Sequence, residues 1–299
     1  MRGSRKSTSA IFEGMSWSDA RDLLRLWRED NERKSQDVVN LWETILSKNI
    51  FKLGDERLLV LEQVCLASLD TNRLDIADKC LQSLAAEFPS SLRVRKLQAL
   101  KLETLEKYDE ALELLDSIIK RDETNAAPRK RRVAILRAKG KHSEAIKELT
   151  DYLKKFMSDQ EGWQELCDLY LLEQDYARAA FCMEELILHN PHNHLIHQRY
   201  ADIRYTQGGF ENIELARAHY SLAFKLNPSS IRALYGIFLC ATNIAVSPKA
   251  TSPKRKEATK LANWVIKELS KRQERQNVED SQVAALEGLI SSVQLAASA

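Results

Sequence analysis

Glycine and proline are scarce in this chain, at nine and six among 299 residues. Both interrupt helices, so their scarcity leaves room for long helical runs. Strand-like alternation of apolar and polar residues is missing too, which argues against a sheet-built fold. No apolar stretch reaches the roughly 20 residues a membrane-crossing helix needs. The longest uncharged one, 233–248, is interrupted by Thr, Asn, Ser and Pro. MRGSRKSTSA is basic and serine-rich, but no apolar segment follows it, so a secretory signal is not expected. Residues 1–14 read as a disordered extension. Phosphate-cradling glycine loops and the HExxH zinc pattern are both absent. No catalytic, cofactor-binding or metal-binding residue is therefore assigned, no cofactor is expected, and the chain reads as a non-enzyme. Net charge is only +2. With no basic stripe evident along the repeats, nucleic acid is not an expected partner.

The five cysteines, Cys65, Cys80, Cys167, Cys182 and Cys240, are odd in number and form no CxxC. Cys65 and Cys167 share one repeat position, and Cys80 and Cys182 another. This pattern fits small core residues in a reducing compartment better than a disulfide framework.

What the chain does have is a period. Ala77, Ala111, Ala145 and Ala179 follow one another at intervals of 34 residues. Each heads an amphipathic run such as ALELLDSIIK, 111–120, preceded by a short polar turn. A fixed period in the 20–50 range marks stacked repeats rather than one closed globule. Thirty-four residues with one central turn predict two antiparallel helices. The alanine then sits where the second helix crosses the first closely.

These features resemble the tetratricopeptide repeat. The best copy, Gln160–Asn193, carries Trp163, Leu166, Tyr170, Tyr176, Ala179 and Pro191 in the pattern's places, with Cys167 where its glycine is usual. The expected fold is all-α, a right-handed superhelical solenoid of helix pairs with irregular N- and C-terminal helices. An N-terminal pair occupies 15–57, with helices at about 16–30 and 36–48. Repeats follow at 58–91, 92–125, 126–159, 160–193 and 194–230. A degenerate repeat and capping helix fill 231–299. The fifth repeat is three residues longer, which a widened turn at GGFENIE, 208–214, would accommodate. In the sixth the turn swells into SPKATSPKRK, 247–256, before a helix at about 257–275. A last helix at about 279–295 caps the end.

First helices of such repeats line the concave face, so the resemblance places Lys96, Lys130, Arg137, Gln164, Asp168, Gln198, Asp202 and Tyr205 in a partner-binding groove. The stretch 129–139 is wholly basic among its charged residues, while 159–185 carries eight acids against one arginine. Either neighbouring first helices neutralise one another, or the groove is polarised and orients a partner segment. The cluster His189, His192, His194 and His197 spans a turn between repeats and is read as structural rather than metal-binding. SPKRK, 252–256, is read as a solvated loop. Chaperone-docking repeats clamp a carboxylate with asparagines that would fall at Leu66, Leu100, Ala134 and Asp168. None of these is asparagine.

Further stretches narrow the resemblance: KLGDE at 52–56, residues 175–217, IRALYG at 231–236 and SPKA at 247–250. From about Ser16 onward the chain is similar to the subunit 2 family of the endoplasmic-reticulum membrane protein complex. That resemblance implies a peripheral scaffold on the cytoplasmic side of the ER membrane. Its implied partners are the cytosolic segments of that complex's membrane subunits and a second soluble subunit. Its implied role is to support energy-independent insertion of tail-anchored and other transmembrane segments. A free cytosolic adaptor or co-chaperone is the alternative.

Overall fold

A computed structural model describes residues 14–276 and residue 288. The expected extension up to residue 13 and the expected helix at about 279–295 lie outside the described residues. The chain divides into two compact units, one ending at Lys141 and the other starting at His142.

The first unit opens with α1 (Trp17–Glu29), whose Ser16 side chain caps the backbone N–H of Asp19 at 3.1 Å. The helix α2 (Ser35–Leu41) is shorter than the expected 36–48. A π turn, Trp42–Leu46, and a 3-10 stretch, Ser47–Glu56, replace its second half. Side chains there compete for helix carbonyls. Thr44 Oγ1 donates to the Asn40 carbonyl and Asn49 Nδ2 to the Ile45 carbonyl. Gly54 then breaks the run at φ 53°.

Helix pairs follow: α3 (Arg57–Asp70) with α4 (Leu74–Glu87), and α5 (Leu92–Thr104) with α6 (Tyr108–Arg121), before α7 (Ala126–Ala138). The second unit continues with α8 (His142–Lys155), α9 (Gln160–Leu172), α10 (Tyr176–His189), α11 (His194–Gln207), α12 (Phe210–Leu226), α13 (Ile231–Val246) and α14 (Ser252–Gln276). Among the described residues there are no strands. The fold is an all-α, tetratricopeptide-type solenoid.

Local chemistry explains the period. Ala77, Ala111, Ala145 and Ala179 are fully buried, as is Ala216 in the longer repeat. Replacing Ala111 with leucine should overpack the α5–α6 crossing and cost about 1–3 kcal/mol in thermal unfolding. No change in melting would mean that this site tolerates a wider crossing.

The turns repeat as faithfully. Asn72, Glu106, Gly140 and Gln174 all adopt left-handed φ values, between 57° and 70°. The next N–H in each case donates back to a carbonyl five residues earlier, at 2.7–2.9 Å (Arg73 to Ser68, Lys107 to Leu102, Lys141 to Leu136, Asp175 to Tyr170). These are Schellman closures.

Two turn expectations are corrected. The three extra residues of the fifth repeat do not widen its turn. Only Gly208 and Gly209, both at positive φ, separate α11 from α12, and α12 runs to 17 residues where α10 has 14. The insertion is absorbed as an added helical turn because Phe210 and Ile213 extend the apolar face of α12. Likewise SPKRK is not loop. It forms the start of α14, with Pro253 in the first turn, where a missing N–H costs nothing. The connection is therefore only 247–251.

All five cysteines are buried and reduced. Burial pushes each thiol up to about 12.

Candidate partner-binding grooves

Each unit carries its own groove. In the first, the groove encloses about 780 Å³, lined in part by Trp27, Leu66, Lys96, Leu100, Lys130 and Ala134. Three of the positions at which chaperone-docking repeats place asparagine thus line it with apolar side chains. In the second, a groove of about 550 Å³ is lined by Gln164, Asp168, Gln198, Arg199, Asp202 and Arg232, among others. Arg137 and Tyr205 line neither groove.

Charge along the first helices follows a rule that residue types alone did not reveal. Within the first unit, Arg93 donates to Glu62 at 2.7 Å and Arg131 to Glu103 at 2.6 Å. Within the second, Arg199 donates to Asp168 at 3.0 Å and Arg232 to Asp202 at 2.8 Å. Each pair joins one first helix to the next. Asp168 and Asp202 are therefore already partnered, and neighbouring repeats neutralise one another there. Arg131–Glu103 is half-buried, whereas the other three are exposed and contribute only about 0–1 kcal/mol each, so those three fix register more than they stabilise.

Asp202 carries a second bond that changes how it can be used. Tyr220, buried on α12, donates its hydroxyl to Asp202 at 2.5 Å. Burial and this carboxylate both push the tyrosine well above its ordinary range. Asp202 is thus a structural acceptor as well as a groove residue, and reversing its charge would also disturb α12.

The four expected histidines do not converge. His189 and His192 are exposed, and His194 Nε2 meets Asn227 Nδ2 at 2.9 Å. His197 is buried, with Nε2 at 2.9 Å from the Pro191 carbonyl and Nδ1 at 3.0 Å from Nδ1 of His219. A carbonyl only accepts, so Nε2 of His197 holds the proton. Its Nδ1 must then accept from Nδ1–H of His219. Beside them, Glu184 accepts from Tyr200 at 2.7 Å and from Arg204 at 2.6 Å. Burial pulls the Glu184 carboxyl upward, but these two donors outweigh it and leave it lowered. His219 comes from α12 and lies 22 residues from His197, so sequence proximity had no means of revealing the pair. Among the described residues no group of three or more His, Cys, Asp or Glu is placed to hold a metal ion.

The family described as "EMC2 TPR-like repeat domain" matches residues 74–223. ER membrane protein complex subunit 2-B of Xenopus laevis is 48% identical over 257 residues, covering 86% of either chain. The chain belongs to the ER membrane protein complex subunit 2 family. Membership extends to distant relatives: ER membrane protein complex subunit 2 of Dictyostelium discoideum is 34% identical, over 75% of this chain and 74% of its own. Among solved structures, the C-terminal part of a TPR repeat-containing protein from Cytophaga hutchinsonii aligns with a TM-score of 0.56 at 12% identity. That alignment covers 88% of this chain and 98% of the other. At that identity it speaks to the fold alone, and the fold it shares with this member of the subunit 2 family is the stacked helix pair.

Proposed function

We propose that this chain is a non-catalytic scaffold subunit of the ER membrane protein complex, peripheral on the cytosolic side of the membrane. The observation that carries the reading is the 48% identity, across 86% of both chains, with a protein named as subunit 2 of that complex. Among the described residues no helix is long and apolar enough to cross a membrane, which suits a peripheral place. The grooves offer the means. Stacked helix pairs can hold extended or helical segments of several partners. Those partners are the cytosolic segments of the complex's membrane subunits and a second soluble subunit. The assembly supports insertion of tail-anchored and other transmembrane segments. No nucleotide site is needed for that step, because moving an apolar helix from water into lipid is downhill.

Purification of the tagged chain from cells in mild detergent tests this reading. Membrane subunits of the complex should co-elute, and cells depleted of the chain should insert tail-anchored substrates poorly until it is restored. Elution alone, or with cytosolic chaperones, would support the free-adaptor alternative instead. Within the same assay, the double reversal Lys130→Glu with Arg137→Glu should lower recovery of membrane subunits by about tenfold. Circular dichroism and melting should stay near wild type. Undiminished recovery would remove these two residues from the docking surface. Asp168 and Asp202 give a less clean test, since Asp202 also holds Tyr220.

A further inference from the structure

The longest helix described, α14, is strongly two-sided. Ala258, Ala262, Val265 and Leu269 are buried in the core of the second unit. At 100° per residue, Lys256, Lys260, Trp264, Lys267 and Lys271 fall within about 80° of one another on the opposite side. All five are exposed, and Trp264 is 45% accessible despite lying edge-on to Phe224 with ring centroids 6.0 Å apart. Among the residues whose side chains are described, which end at Arg272, these four lysine side chains make no hydrogen bond or ion pair. Two flanking carboxylates are already taken, Glu257 by Arg217 and Glu268 by Arg272, both at 3.4 Å. The result is a ridge about 22 Å long, basic from end to end, with one indole at its centre.

We propose that this ridge of α14 rests on an anionic phospholipid surface. The side chains favour lipid over an acidic protein segment. All four cations are lysines, compact point charges on flexible stems, with none of the planar forks that arginine offers to a fixed carboxylate. Neither of the two grooves described above is lined by α14, so neither offers a peptide a seat on this ridge. An exposed tryptophan beside lysines matches the interface of a bilayer, where the indole sits at headgroup level and the ammonium groups lie in the anionic layer. The contact adds to the scaffold role a direct footing on the membrane, and it does not depend on that role.

The test uses the purified full chain and vesicles of two compositions, phosphatidylcholine alone and phosphatidylcholine with about one-third phosphatidylserine. The chain should float with the anionic vesicles and not with the neutral ones, and the binding should vanish near 1 M salt. Each lysine is worth roughly fivefold in partitioning. The K256Q/K260Q/K267Q/K271Q variant should therefore bind more than tenfold more weakly at unchanged helicity. The charge-matched variant K48Q/K52Q/K79Q/K120Q should bind like wild type. A blue shift in emission on binding should be lost in W264F. Failure to float with anionic vesicles, equal loss in both lysine variants, or a shift that persists in W264F would overturn the proposal. So would binding of the wild type to an RNA oligonucleotide while it ignores the vesicles. Co-purification with the complex is scored separately, so lipid binding can fail while the scaffold reading stands, and the reverse.

Discussion

Replacing Gly236 with valine should destabilise the second unit by about 3 kcal/mol or more. A Cβ at this position on α13 would lie 2.5 Å from two ring carbons of Tyr220 and 2.6 Å from a third. The ring has little freedom to withdraw. It is 4% accessible, and its hydroxyl is tied to Asp202, which Arg232 also grips. Relief therefore requires α12 and α13 to part, and the apolar core between them opens. Alanine at the same place isolates the steric part. At an exposed helical site glycine to alanine gains up to about 1 kcal/mol. Here that gain should be outweighed, leaving Gly236→Ala below wild type. For a unit of this size the valine variant should melt roughly 6–12 °C lower. A melting point at or above wild type for both variants would show that the two helices can separate at little cost.

Acid should weaken the same unit through His219. Burial, reinforced by the neighbouring His197, lowers this imidazole from 6.5 to about 4. Glu184 pulls the other way and Arg204 adds to the lowering, with the Tyr200 ring edge-on at 4.5 Å. The sign follows from where the proton binds. Between the two values the unfolded chain takes it up and the folded chain does not, so stability rises with pH and is lost as pH falls from about 6.5 towards 4. The shift sets an upper limit of about 3 kcal/mol, reduced in practice by water reaching a half-buried ring. Melting temperatures recorded from pH 7.5 down to pH 5 should decline in the wild type and decline less in His219→Phe. Parallel curves would assign the acid sensitivity to other groups.

The helix pairs were legible because their cause is local and repeated. A small residue every 34 positions, preceded by a turn, leaves few other ways to pack. The departures share a different cause. Gly208 and Gly209 can widen a turn or simply break a helix, and the choice depends on whether Phe210 and Ile213 find apolar surface, which is a tertiary fact. SPKRK reads as loop by composition, yet a proline in a first helical turn is as comfortable as one in a loop. Cutting the helix at residue 257 detached Lys256 from the lysines beyond it and hid the ridge on α14. Groove positions could be named from the repeat register, but their electrostatic state could not. The partners of Asp168 and Asp202 lie 31 and 30 residues further on, one repeat later, at arginines unremarkable in isolation.

The buried thiols have a practical consequence. Cys65 and Cys80 lie in one unit, and Cys167, Cys182 and Cys240 in the other. A thiol that ionises only near pH 12 and has no access to solvent stays silent to a maleimide until its surroundings open. The native sequence thus contains its own set of exposure clocks, already distributed over both units. The order in which those five sulfurs become modified would record which unit breathes first and how far, without an added label or an engineered residue.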